Sequence, residues 1–191
     1  MLLLLAAMSA TASAEPERFT SWDELGVLRT RVDMGAGDTV VGEAVRFAPH
    51  VPVAHNLYIG AELDTGTLSG RVAAAPTYRT TGGEAPPTAE ATGKFGAVRA
   101  LVGVRVRFGM LSAAGELAAG FHAADLMDAY GQPVAGTRVD ATELSARARV
   151  DLWISPRFSA GLLVGTGLDG SRDASAGIMV GYHFGNYDGL R

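Results

Sequence analysis

Four histidines, at positions 50, 55, 122 and 183, are the groups in this chain best suited to proton transfer or metal ligation, and they are scattered. No pair has the spacing of a metal site, and Asp169 with Asp173 reads as an ordinary loop pair. Acyl transfer would want a serine beside a histidine on one strand, whereas His122 is followed only by alanines. Glu116 and His122 share a strand face and read as packing rather than catalysis. Gly165-Thr166-Gly167 lacks the following helix and lysine of a phosphate cradle. The chain has no cysteine, so thiol and disulfide chemistry are absent. Nothing here points to an enzyme, a metal or a cofactor.

What remains is a set of charges at alternate positions. Ala146, Ala148, Val150, Leu152 and Ile154 alternate with Arg147, Arg149, Asp151 and Trp153. That is the period of a strand with one apolar and one charged face. Ser155-Pro156-Arg157 turns the chain back into Phe158, Ala160, Leu162, Val164 and Thr166, whose opposite face is Ser159, Gly161, Leu163, Gly165 and Gly167. Strands of soluble sandwiches average about five to six residues, and strands that cross a bilayer need about nine to eleven. This hairpin fits the longer class.

The same pattern extends along the chain. Val98, Ala100, Val102, Val104, Val106 and Phe108 face outward against Arg99, Leu101, Gly103, Arg105 and Arg107. Ala113 to Ala123 presents an apolar face opposite Glu116 and His122, and Ala174 to Phe184 forms the last strand. Earlier strands are expected at Leu57 to Asp64, at Val40 to Phe47, where Glu43 makes the facing ambiguous, and at Leu28 to Met34, with Arg29, Arg31 and Asp33 inward. Short turns are expected near 49–54, 109–111 and 155–157, and long loops at 65–93 and 126–141. Phe47, Phe108, Trp153, Phe158, Tyr182 and Phe184 lie near the short-turn ends, as an interfacial aromatic girdle would.

Of the 16 Lys+Arg residues only Lys94 is lysine, and arginine suits enclosed pairing with carboxylates. The expected inward network is Arg29, Arg31, Asp33, Glu62, Asp64, Arg99, Arg105, Arg107, Glu116, Arg147, Arg149 and Asp151. A lumen of paired ions satisfies charges that would each be costly if buried alone. Net charge −4 and pI near 5.5 argue against a nucleic-acid partner.

The fold class is therefore all-β: a closed antiparallel up-and-down transmembrane barrel of about eight strands. Leu2 to Met8 and the Ala12-Ser13-Ala14 site read as a signal peptide over 1–14 with no Lys or Arg in its n-region, followed by an N-terminal segment over 15–22. The barrel occupies 23–185, with a tail over 186–191.

At this level the chain resembles the small eight-stranded OmpA/OmpX-type outer-membrane barrels of the porin-like superfamily. Gly177-Ile-Met-Val180-Gly-Tyr182-His-Phe184 looks like the C-terminal strand by which barrel-assembly machinery recognises its clients, although the chain here runs on from Gly185 to Arg191. The resemblance implies a Gram-negative cell envelope, outer-membrane lipid and assembly machinery as partners, and a structural or surface-interaction role with loops 65–93 and 126–141 outside to meet a ligand. Side chains just fill an eight-stranded barrel, which disfavours conduction. A narrow porin or small-molecule channel is the alternative if inward Gly60, Gly103, Gly161, Gly165 and Gly181 leave a continuous gap. A soluble lipocalin-like periplasmic binder would need an apolar lumen and a polar exterior.

Overall fold

Long alternating segments with β-branched and aromatic residues on one face form strands throughout the described part of the chain. The computed structural model describes residues 20–34, 39–73, 88–128, 131, 133 and 139–184. The strands are β1 (Trp22–Asp33), β2 (Thr39–Pro52), β3 (Leu57–Ala73), β4 (Thr88–Phe108), β5 (Leu111–Met127), β6 (Val139–Ser155), β7 (Phe158–Gly167) and β8 (Ala174–His183). Each pairs antiparallel with the next and β8 closes on β1, giving an eight-stranded barrel in chain order. Closure pairs every strand on both sides, so no edge is left exposed. The leader and tail expectations lie outside the described residues.

The turns joining β4 to β5 and β6 to β7 are two residues each, and Gly109 adopts φ 62°, a left-handed conformation that glycine takes without strain. Several expected boundaries shift. Pro49 to Pro52 is not a turn but the end of β2, and the chain reverses at 53–56. Of the expected loop over 65–93, residues 65–73 belong to β3 and 88–93 to β4, and 74–87 lie outside the described residues. The expected loop over 126–141 likewise loses 126–127 to β5 and 139–141 to β6. β3 to β6 run 17, 21, 17 and 17 residues, against 10 each for β7 and β8. One wall of the barrel therefore rises well above the other at the long-connection end.

Polarity reverses along the barrel axis. Toward the short turns the outer surface is apolar, with Leu25, Val27, Phe47, Leu63, Val98, Val102, Leu117, Val150, Leu162, Ile178 and Val180 all exposed. Eleven residues of a strand tilted at about 45° span roughly 25 Å, the height of a bilayer's apolar band. Toward the long connections the outward positions turn polar: Arg29, Arg31, Glu43, Thr67, Ser69, Arg71, Glu90, Thr92, Lys94 and Asp125. The lumen at that level is a hydrophobic cluster of Val32, Val40, Ala44, Leu68, Val72, Ala91, Phe95, Ala97, Ala124 and Leu126.

This reversal corrects three expected lumen residues. Arg29 and Arg31 point outward, in phase with Leu25 and Val27 but above the apolar band, where an exposed guanidinium costs little. Inside, β1 instead presents Leu28, Thr30 and Val32. Asp33 sits at the rim, where its Oδ2 accepts the Arg172 backbone N–H at 3.0 Å. Glu43 is likewise outward, opposite Arg29.

Candidate functional site in the barrel lumen

Beneath the apolar cluster, charged side chains from four strands converge. Arg46 (β2) donates through Nε and Nη2 to the two carboxylate oxygens of Asp64 (β3), both at 2.7 Å. Arg99 (β4) reaches Glu62 at 2.8 Å, Asp64 at 2.7 Å and Glu143 at 2.9 and 2.7 Å. Arg147 (β6) pairs with Glu62 and adds a 2.6 Å bond from Nη2 to Oε1. All six are buried, so each charge depends on its partners for the solvation that water would have supplied.

A second ionic layer lies closer to the short turns. Arg105 donates to Asp151 at 2.8 Å and to Ser112 Oγ at 3.1 Å. Arg149 pairs with Glu24 and donates through Nε to Asp151 at 2.7 Å. The Tyr58 hydroxyl donates to Glu116 at 2.6 Å. Aromatic rings seal this layer: Trp22 stacks on His50 at 4.6 Å, Trp153 stacks on His183 at 4.1 Å, and the Arg105 guanidinium lies 5.0 and 5.2 Å from the two indole rings.

Of the expected network, the structure places Glu62, Asp64, Arg99, Arg105, Glu116, Arg147, Arg149 and Asp151 in the lumen. Arg107 is half-buried, its guanidinium 4.3 Å from the Trp153 ring. Trp153 is therefore not a girdle residue: with 1% exposure it faces inward, in phase with Asp151. Phe47, Phe108, Phe158, Tyr182 and Phe184 are exposed on the outer surface. On β8, Val180 and Tyr182 face outward, as does Phe184 just beyond its end, and Gly177 lies on the lumen side with Met179.

Sequence reasoning missed Glu24, Arg46 and Glu143. The signal was present for two of them: Glu143 is in phase with Arg147, and Arg46 lies between Val45 and Phe47, whose apolar side faces out.

Among the described residues the lumen holds one contact of the nucleophile–base type, Ser159 Oγ to His183 Nε2 at 3.1 Å. Both residues are buried among the tryptophans, and His183 Nδ1 has no hydrogen-bond partner among the described residues, so no third group orients the ring. The inward glycines do not open a path. A Cβ at Gly103 would overlap the Tyr58 ring, and one at Gly161 would overlap the Asp151 carboxylate.

The geometry is that of the small eight-stranded outer-membrane barrels. No family model and no curated protein matches the chain. Among solved structures it is similar to Ail, the attachment invasion locus protein of Yersinia pestis, with TM-score 0.57 and 15% identity over 87% of this chain and 100% of that one. It is also similar to Ail in complex with the heparin analogue sucrose octasulfate, with TM-score 0.52 and 15% identity over 87% and 100%. Neisserial surface protein A gives TM-score 0.53 and 10% identity over 86% and 97%. At these identities the likeness is one of fold.

Proposed function

We propose that this chain is an outer-membrane barrel with a closed lumen and a structural or surface-interaction role, neither a catalyst nor a channel. The observation that carries this reading is the apolar band around a closed ring, too large and continuous for a surface in water. In this reading the short turns face the periplasm and the tall wall of β3 to β6 stands outside, the side on which a surface ligand would be met. A surface role has a precedent in a barrel of this fold, the attachment protein Ail. The two ionic layers and the aromatic layer lie in series along the axis, which argues against solute flow. The last strand, through Gly177, Val180, Tyr182 and Phe184, is the segment proposed to engage the barrel-assembly machinery.

A soluble lipocalin-like binder would need an apolar interior and polar exterior over its whole height. Here that arrangement occurs only above the apolar band.

Cell fractionation with a heat-modifiability gel tests the membrane part: outer-membrane recovery with a mobility shift on boiling is expected, and soluble periplasmic protein would overturn it. Planar-bilayer recording tests the closed lumen, with conductance at leak expected and stepwise conductance well above leak counting against it.

A further inference from the structure

Three buried groups meet at the long-connection end of the lumen, one of them, Glu143, shared with the ion pairs below. One ring nitrogen of His122 and one carboxylate oxygen each of Glu143 and Asp173 lie within 4.8 Å of one another. The three residues are 5%, 8% and 8% exposed. They come from β5, β6 and the connection over 168–173, so barrel closure rather than local sequence brings them together.

His122 Nδ1 lies 3.3 Å from Glu143 Oε2, so Nδ1 is the ring nitrogen that faces this carboxylate, and a bound ion would take the place of the proton there. The ring's other nitrogen, Nε2, is buried with no hydrogen-bond partner among the described residues. The three bonds at Glu143, two from Arg99 and one from His122, all fall on Oε2. Beside the group is a cavity of about 20 Å³ whose lining includes His122, Glu143 and Asp173 together with the paired Arg46, Arg99 and Arg147. That is room for one water-sized body.

Charge gives an independent argument. Arg46, Arg99 and Arg147 face Glu62, Asp64 and Glu143, three against three. Asp173 is the surplus anion at this level. Its Oδ1 accepts the Asp33 backbone N–H at 2.7 Å, and it has no cationic side chain in ion-pair contact among the described residues.

We propose that His122, Glu143 and Asp173 form a binding site for one divalent first-row transition ion, of the Zn²⁺ class, with the remaining position open to a water in the cavity. An imidazole beside two carboxylates selects such ions over Ca²⁺ or Mg²⁺, which take oxygen ligands. Ligand bonds of about 2.0–2.2 Å require the three atoms to close by roughly an ångström, within reach of side-chain rotation. The bound ion would tie β5, β6 and the last connection across the lumen.

The test uses the full chain, folded in detergent, stripped with a chelator and titrated with Zn²⁺ against a chromogenic competitor. One Zn²⁺ per barrel is expected, with D173N and H122A each weakening it by about tenfold or more while the heat-modifiable mobility persists. H55A, at the exposed histidine of the 53–56 turn, should bind as the parent does. Asp173 lies outside the ion pairs, so D173N decides the matter whether or not H122A folds. Unchanged binding in D173N, or no binding by the parent chain, overturns the site. Ca²⁺ binding as tightly as Zn²⁺ overturns the choice of ion.

Discussion

Arg46 and Asp64 are direct cross-strand partners on β2 and β3, and they meet fork to fork through two hydrogen bonds of 2.7 Å. Such a pair fixes orientation as well as charge, because the planar guanidinium matches both carboxylate oxygens at once. Replacing Arg46→Met leaves a buried carboxylate with one guanidinium fewer, and the expected cost is about 3–5 kcal/mol. The double variant R46M/D64L is expected to cost less than the sum of the single changes, since it buries no orphaned charge at that pair. Urea unfolding of the refolded barrel, followed by tryptophan fluorescence, measures both.

Tyr58 occupies the space that a side chain at position 103 would take. Gly103→Ala should therefore displace the ring and its 2.6 Å bond to Glu116, destabilising the barrel by about 1–3 kcal/mol. Adding Tyr58→Leu should recover part of the loss. A double variant no more stable than Gly103→Ala would show that the ring does not set the cost.

The height of the apolar band can be read by placing charge on it. Leu162→Arg, near the middle of the band on β7, is expected to cost about 2–4 kcal/mol in lipid. Thr67→Arg, exposed above the band on β3, should fall within about 0.5 kcal/mol of the parent. Equal costs at the two positions would contradict the assigned depth.

Asp169 fastens the connection over 168–173. Hydrogen bonding from Ser171, whose backbone N–H donates at 3.0 Å, and from the Leu144 amide holds the Asp169 carboxyl below the usual aspartate range. A depressed carboxylate adds stability that is present above its unfolded pKa and lost as pH falls through the lower folded value. An NMR titration should place the Asp169 midpoint below that of a model peptide, and Ser171→Ala should move it upward.

The strands that lie within the apolar band were legible in the sequence, because there one face is lipid and the other is charge. From Val98 to Phe108 and from Ala146 to Ile154, alternation alone assigns every side chain to its face. β1 was misread because its expected start, Leu28, omitted Trp22 to Val27, the part lying against the band. Leu25 and Val27 set the phase, and Arg29 and Arg31 follow it into a region where outside is polar. Period-2 alternation tells which residues share a face, and only the surrounding medium tells which face is out. Asp173 had no such signal, since a connection carries no periodicity and its position beside His122 follows from closure.

The barrel also has a mechanical weak point. β3 and β4 are zipped over 17 residue pairs, whereas β1 and β8 share 10 and β7 and β8 share 9. Every other neighbouring pair is also tethered by a covalent connection, but the β1–β8 contact is held by hydrogen bonds and packing alone. A ring loaded in tension parts at its least reinforced joint, so this joint is where the cylinder should first unroll into a sheet. Pulled from its two chain ends, the protein would behave like a bracelet with a clasp: rigid around most of its circumference, and opened at the one joint that no covalent connection spans.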